Sequence, residues 1–249
     1  MSDLTYLNQL RVLEMEQLVA LLPRGGRVLE FGAGTGQQAR FLADHGFDVV
    51  AIDMASSTYA SHRSFPIQDY DGRHIPLEDQ SVDAIFSSNV LEHVEDIRTV
   101  LAEFRRVLRP EGIGLHVMPT TAWRFWTFFT AMADAAITAA RLPIHLARPP
   151  SGMTRGQAFN ADVRRIARGV IPSGHGTSPE GISELWTFSA RSWRRTFAKN
   201  GFEIAEDRPL GMWYTGTLVV GDLLPLSIRR GLSNFLGSAT HYYLMRPSV

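Results

Sequence analysis

Val28-Leu29-Glu30-Phe31-Gly32-Ala33-Gly34-Thr35-Gly36 decides the fold: a short apolar run passes into three glycines at alternate positions, and a helix pattern follows. An apolar run of this length, bounded by glycine, reads as a buried strand. Glycine at every second position strips the Cβ from one side of the turn, so a ligand could lie against the backbone. The helix beyond it offers unbonded N–H groups and the positive end of its dipole. A dinucleotide fingerprint would place its third glycine where Gln37 stands; here that glycine comes one residue early, at Gly36. Glu30, two residues before the first glycine, would repel a pyrophosphate but could pair with an ammonium or a sulfonium.

Further apolar runs occur at Asp48–Ile52, Val82–Ser87 and Ile113–Met118, beside Arg27–Phe31 itself. Between the last two lies a helix pattern with Ile97, Leu101, Phe104 and Leu108 at steps of three and four, stopped by Arg109-Pro110-Glu111-Gly112. Such alternation predicts a mainly parallel sheet with helices on both faces. Ser189 is placed to cap a helix running to Ala198, with strands at Phe202–Glu206 and His241–Met245. The first 22 residues read as an amphipathic helix. The expected organisation is one domain over 1–249, with a core at 22–120 and two stretches outside it, 121–187 and 210–239.

The chain has 249 residues, with 25 basic and 25 acidic side chains and a formal net charge of zero, which argues against binding nucleic acid through a bulk positive field. The absence of cysteine excludes a disulfide scaffold, a zinc–thiolate site and a cysteine nucleophile, and fits a reducing compartment. No segment reads as an export signal, and the run Phe125–Ala140, interrupted by Asp134, is shorter than the ~20 residues of a membrane crossing. The expectation is a cytoplasmic protein.

Three further motifs follow in order. Val49-Val50-Ala51-Ile52-Asp53-Met54 ends in an acid about twenty residues past the glycine turn, where a carboxylate accepts ribose hydroxyls. Asp71-Gly72-Arg73-His74-Ile75-Pro76-Leu77 leads into Ser81-Val82-Asp83-Ala84-Ile85-Phe86, and Ser88-Asn89-Val90-Leu91-Glu92-His93-Val94 closes the set. With RVLRPEGIGLHV at 106–117, these stretches resemble the class I S-adenosylmethionine-dependent methyltransferases, in particular the type-11-like group. The resemblance runs from Arg27 to Met118 and returns weakly at 186–207 and 241–247.

The resemblance implies a Rossmann-like, seven-stranded, mostly parallel sheet whose last strand is antiparallel, with S-adenosyl-L-methionine across the carboxyl ends of the first strands. It places Gly32, Gly34 and Gly36 against the methionine and ribose, and Glu30, with Phe31 beside it, at the methionyl ammonium. Asp53 would hold the ribose hydroxyls and Met54 the adenine face. Asp71, beside Gly72, would accept from the adenine amino group, with Asp69 as its competitor. Asn89 would lie near the methionine moiety and His93 slightly further along.

In an open parallel sheet, ligands bind outside the carboxyl ends of the strands, so the two extra stretches are expected as helical insertions that cap the site and choose the acceptor. In the first, Phe125, Phe128, Phe129, Met132, Ala136 and Ile137 share one half of a helical wheel, and Arg124, Thr127, Thr130, Asp134 and Thr138 the other. This suits a helix packed on the sheet or on a second subunit; the alternatives are an apolar acceptor tunnel or a peripheral membrane surface. Asn160 opens a second helix pattern in which Arg164 and Arg168 lie one turn apart with Arg165 adjacent. They suit a phosphate or carboxylate, or simply a solvated face.

An alcohol acceptor must also lose a proton, and His175, His93, Glu184 and Tyr214 are the candidate acceptors for it. No metal-ligand spacing is present. The leading reading is O-methylation of a small or carrier-linked acceptor that is lipid-like, aromatic or a glycan. A nicotinamide-dependent oxidoreductase and a non-catalytic cofactor-binding scaffold are the alternatives, and a homodimer is an open possibility.

Overall fold

The central strands of the first half alternate their side chains between two packed layers. Leu29, Phe31 and Ile85 join one hydrophobic cluster, while Val28, Ala84 and Phe86 join another. A period of two with both faces apolar is the mark of a sheet covered on both sides. The computed structural model describes residues 3–170, 174–177, 181–215 and 224–248. Its helices are α1 (Asp3–Leu18), α2 (Gln37–Asp44), α3 (Ile97–Val107), α4 (Thr121–Ala147), α5 (Arg155–Val170), α6 (Glu184–Thr187), α7 (Ala190–Lys199) and α8 (Leu226–Leu236). Its strands are β1 (Arg27–Phe31), β2 (Asp48–Met54), β3 (Gln68–Tyr70), β4 (Val82–Ser88), β5 (Leu108–Pro119), β6 (Phe202–Pro209) and β7 (Thr240–Pro247).

The strands form one seven-stranded sheet in the order β3-β2-β1-β4-β5-β7-β6. β1 to β5 pair in parallel, and β7 runs antiparallel to both β5 and β6. The expected class is therefore the observed one. The helices α1 and α2 supply Met15, Leu18 and Leu42 to one layer, and α3 and α7 supply Leu101, Phe104 and Phe197 to the other. Order reverses beside β1, so the carboxyl ends of β1, β2 and β4 face a crevice at the switch point.

The chain forms two compact units, one of residues 1–119, 189–210 and 240–249, the other of residues 120–188 and 211–239. The first holds the sheet. The second is helical. In it, α4 and α5 pack side by side with Gly169 between them, where an added Cβ would come within 2.5 Å of Ala135 Cβ. Arg165 donates to Asp134 at 2.5 and 2.6 Å, and His145 lies 2.8 Å from Asp162 across the same helix pair.

Three expectations about this second unit need correction. The second helix begins at Arg155, not Asn160, because Thr154 and Gln157 exchange capping hydrogen bonds ahead of it. Arg165 is spent on Asp134, so the guanidinium group there is reduced to the exposed Arg164 and Arg168. The wheel of α4 is turned round: Arg124, Ala135 and Thr138 are buried, while Phe125, Phe129, Met132 and Ile137 are exposed. Of its apolar half only Phe128 is as much as half-buried among the large side chains.

Candidate functional site

The β1 turn is folded over the end of β2: Gly32 and Ala33 both donate to Ile52 O, at 2.9 and 3.0 Å. Gly32, Gly34 and Gly36 all have positive φ, +77°, +56° and +77°, a region that side chains disfavour. Space adds a second reason at two of the three. A Cβ on Gly32 would fall 2.5 Å from Val90, and one on Gly36 2.6 Å from Phe65. At Gly34 the nearest atom would be a Tyr59 ring carbon at 3.6 Å. Only Gly34 is therefore bare toward the crevice; the other two are filled from the protein side. Gly36 starts α2 without a side-chain cap.

Asp53 ties the turn to β2. Its Oδ2 accepts from Gly34 N at 2.9 Å and its Oδ1 from Met54 N at 2.8 Å. Each oxygen keeps a second lone pair for a hydroxyl. Met54 is exposed, and its Cε lies 3.8 Å from where a Cβ on Gly72 would stand, so the two flank one patch. Asp71 is exposed and accepts from His74 N and Arg73 N, bonds that hold its carboxyl below the usual range. Asp69, its rival, is paired with Arg63 at 2.8 Å.

Glu30 is 2% exposed, and burial pushes its carboxyl up to about 8, partly offset by a hydrogen bond from Ala39 N in the first turn of α2. Its Oε2 is buried without a hydrogen-bond partner. Phe31 is a core side chain, edge-on to Tyr70 and Phe104 at 5.4 and 5.0 Å, and only its backbone is available to a ligand.

At the end of β4, Asn89 takes φ +55° and donates through its N–H to Val117 O. The amide orientation that satisfies its neighbours puts Oδ1 2.9 Å from Arg11 Nη1. Arg11 also pairs with buried Glu14, which accepts from Thr240 Oγ1 at 2.5 Å. Sequence reading missed Arg11 and Glu14; their spacing of three along α1 gives no hint of a partner beyond the helix. A 3₁₀ turn, Leu91–His93, then buries Glu92 and leaves the His93 side chain 45% exposed.

The remaining candidate proton acceptors lie in the helical unit. Glu184 is fully buried, ion-paired with Arg124 at 2.9 Å, and its Oε1 accepts from His175 N and Gly176 N at 2.5 and 2.7 Å. It fastens the 174–177 segment to α4, with both of its oxygens facing protein partners. Tyr214 is buried as well. His175 is exposed and sits edge-on to Trp123 at 4.7 Å.

Residues 29–115, from the heart of β1 to β5, match the family model of the methyltransferase domain. That stretch is similar to the methyltransferase domain. Over 92 residues it is 40% identical to a malonyl-[acyl-carrier protein] O-methyltransferase of Yersinia pestis, covering 35% of this chain and 34% of that one. Over 93 residues it is 37% identical to a demethylmenaquinone methyltransferase of Corynebacterium urealyticum, covering 36% and 40%. The matched stretch thus spans between a third and two fifths of these relatives. An S-adenosylmethionine-dependent methyltransferase from Mesorhizobium loti shares the fold with a TM-score of 0.55 at 18% identity, over 94% of this chain and 97% of that one. One from Aquifex aeolicus does so at 0.52 and 14%, over 94% and 90%.

The fold neighbours named are S-adenosylmethionine-dependent methyltransferases, and the residues present here fit that donor. The orphaned, buried Glu30 Oε2 wants an N–H donor, which the donor's ammonium is. Asp53 offers two half-used oxygens at the strand end, and Gly34 leaves its backbone uncovered. Among the described residues, no helix is long and apolar enough to cross a membrane.

Proposed function

We propose that the protein transfers the methyl group of S-adenosyl-L-methionine to an oxygen of a small or carrier-linked acceptor with an apolar body. The observation that carries the donor half is the orphaned Glu30 carboxylate oxygen beneath a glycine turn locked to Asp53. The acceptor half is supported by the names of the relatives, the malonyl-[acyl-carrier protein] O-methyltransferase for the oxygen and the carrier and the demethylmenaquinone methyltransferase for the apolar body. The methyltransferase match replaces the nicotinamide alternative.

Bound in the crevice, S-adenosyl-L-methionine supplies a sulfonium methyl open to in-line displacement. Glu30 would receive the ammonium, Asp53 the ribose hydroxyls, and Met54 with Gly72 the flat face of the base, while Asp71 would take its amino group. The chain's remaining task is to align the acceptor oxygen and exclude water. A carboxylate acceptor needs no base. A phenol or alcohol does, and His93 serves it, because its exposed imidazole follows β4 within the same unit as the donor crevice. The stretches 121–187 and 210–239 choose the acceptor.

The test is a screen with labelled donor against malonyl-thioesters, isoprenoid phenols and a phosphoglycan. Label on an acceptor oxygen is expected, with His93→Ala slowing the phenol and sparing the carboxylate. Folded protein that binds S-adenosylhomocysteine yet labels no oxygen in any of these would defeat the proposal.

A further inference from the structure

Helix α4 is built inside out. From Phe125 to the cap residue Arg148, every exposed residue is apolar or arginine, and its one acid, Asp134, is turned to Arg165 of α5. Phe125, Phe129, Met132, Ile137, Ile144 and Leu146 are between 39% and 61% exposed. Of the sixteen large apolar side chains that are exposed among the described residues, fourteen belong to the helical unit, which holds fewer than half of the chain's residues. Phe125 also lines an open groove with Trp126, Trp186 and Phe235, so the apolar surface continues from α4 onto α6 and α8. A contiguous exposed apolar face rimmed by charge marks an interaction site.

Charge says what the site meets. Ile137, Arg141, Ile144 and Arg148 follow one another at steps of four, three and four, so both arginines stand on the exposed stripe itself. Neither makes an ion pair among the described residues. The stretches 120–188 and 211–239 contain nine arginines against five acids, a net charge of +4 in a chain whose total is zero. A second copy of α4 laid on this face would bring four guanidinium groups together with no acid on the face to neutralise them. A surface that is greasy at its centre and anionic at its rim matches it instead. Crossing is excluded for α4, which carries buried Arg124 and ion-paired Asp134 and is not apolar enough to span a bilayer.

We infer that α4 lies in the plane of an anionic phospholipid surface, its phenylalanine and isoleucine side chains among the acyl chains and Arg141 and Arg148 on lipid phosphates. This inference goes beyond the reaction proposed above and does not depend on it. It fits an acceptor that is itself apolar, since the enzyme would meet it where it dissolves.

Flotation of the full chain with vesicles tests it. The protein is expected to float with phosphatidylcholine–phosphatidylglycerol vesicles, less with phosphatidylcholine alone, and less again at high salt. Phe129→Glu with Ile144→Glu, both at exposed positions, should lower partition about a hundredfold without changing the melting temperature. Arg141→Glu with Arg148→Glu should abolish the preference for anionic lipid. Should the first pair fail to melt like the parent, the arginine pair and the quenching of tryptophan fluorescence by brominated lipid decide instead. Wild-type protein that floats with neither vesicle, or glutamate variants that float undiminished, would overturn the inference. So would a dimer in solution that Phe129→Glu with Ile144→Glu dissociates while no flotation is seen, since that assigns the face to a second copy.

Discussion

Glu30 illustrates how a single residue joins the fold to its chemistry. Its carboxyl sits under the glycine turn, caps Ala39 N, and keeps a proton up to about pH 8 because burial disfavours the charge. In the unfolded chain the same group ionises near 4.5. The folded form therefore binds the extra proton between those values, and stability falls as pH rises through that window. Buried His116, lowered to about 3 by desolvation, has the opposite slope, but only below its unfolded value of 6.5. Between pH 6.5 and 8, then, Glu30 acts alone of these two. Urea unfolding at both pH values should show the parent losing stability and Glu30→Gln losing less; equal losses would show that the carboxyl is ionised throughout. A ligand ammonium favours the charged form, so S-adenosylhomocysteine should bind the parent more tightly at pH 8 than at 6.5, and Glu30→Gln without that dependence.

Among the elements, the β1–α2 turn separates two reasons for glycine that the sequence runs together. The spacing of Gly32, Gly34 and Gly36 suggested one bare strip of backbone, yet Val90 and Phe65 fill the space beside two of them. Alanine at any of the three incurs a left-handed backbone penalty of about 1–2 kcal/mol. At Gly32 and Gly36 overpacking adds a further 1–3 kcal/mol or so. Thermal unfolding should rank Gly34→Ala as the mildest; if all three melt alike, the packing account is wrong. Helix α4 gives a second case. Thr120 accepts from Trp123 N at 3.1 Å and donates to Ser238 O at 2.5 Å, so Thr120→Ala should lower stability by about 1–2 kcal/mol, read from denaturant midpoints.

For the whole molecule, the sheet was legible because its central strands are short apolar runs punctuated by glycine, proline and acids. β1 matches its reading residue for residue, and β2, β4, β6 and β7 extend theirs by one to three residues. β3 escaped notice because three residues with one buried side chain carry no period. β5 starts at Leu108 rather than Ile113, since Arg109–Gly112 bulges between the pairs Val82 with Leu108 and Ala84 with Ile113. The inverted face of α4 was illegible in principle: a helical wheel shows which residues share a side, not which side the protein keeps. Its polar half is inside because Arg124 has Glu184 and Asp134 has Arg165, partners 60 and 31 residues away. The candidate site divides the same way. Asp53, Asp71 and the glycines stand in local motifs, whereas the link from Asn89 through Arg11 and Glu14 to Thr240 is made only by folding. Calorimetric titration of the purified chain with S-adenosylhomocysteine tests the crevice most directly. The parent should bind one equivalent, and Asp53→Ala should bind more weakly by about 1–3 kcal/mol while melting as a folded protein. A folded parent that takes up no nucleoside, or an Asp53→Ala variant that binds it as well as the parent, would contradict the crevice assigned here.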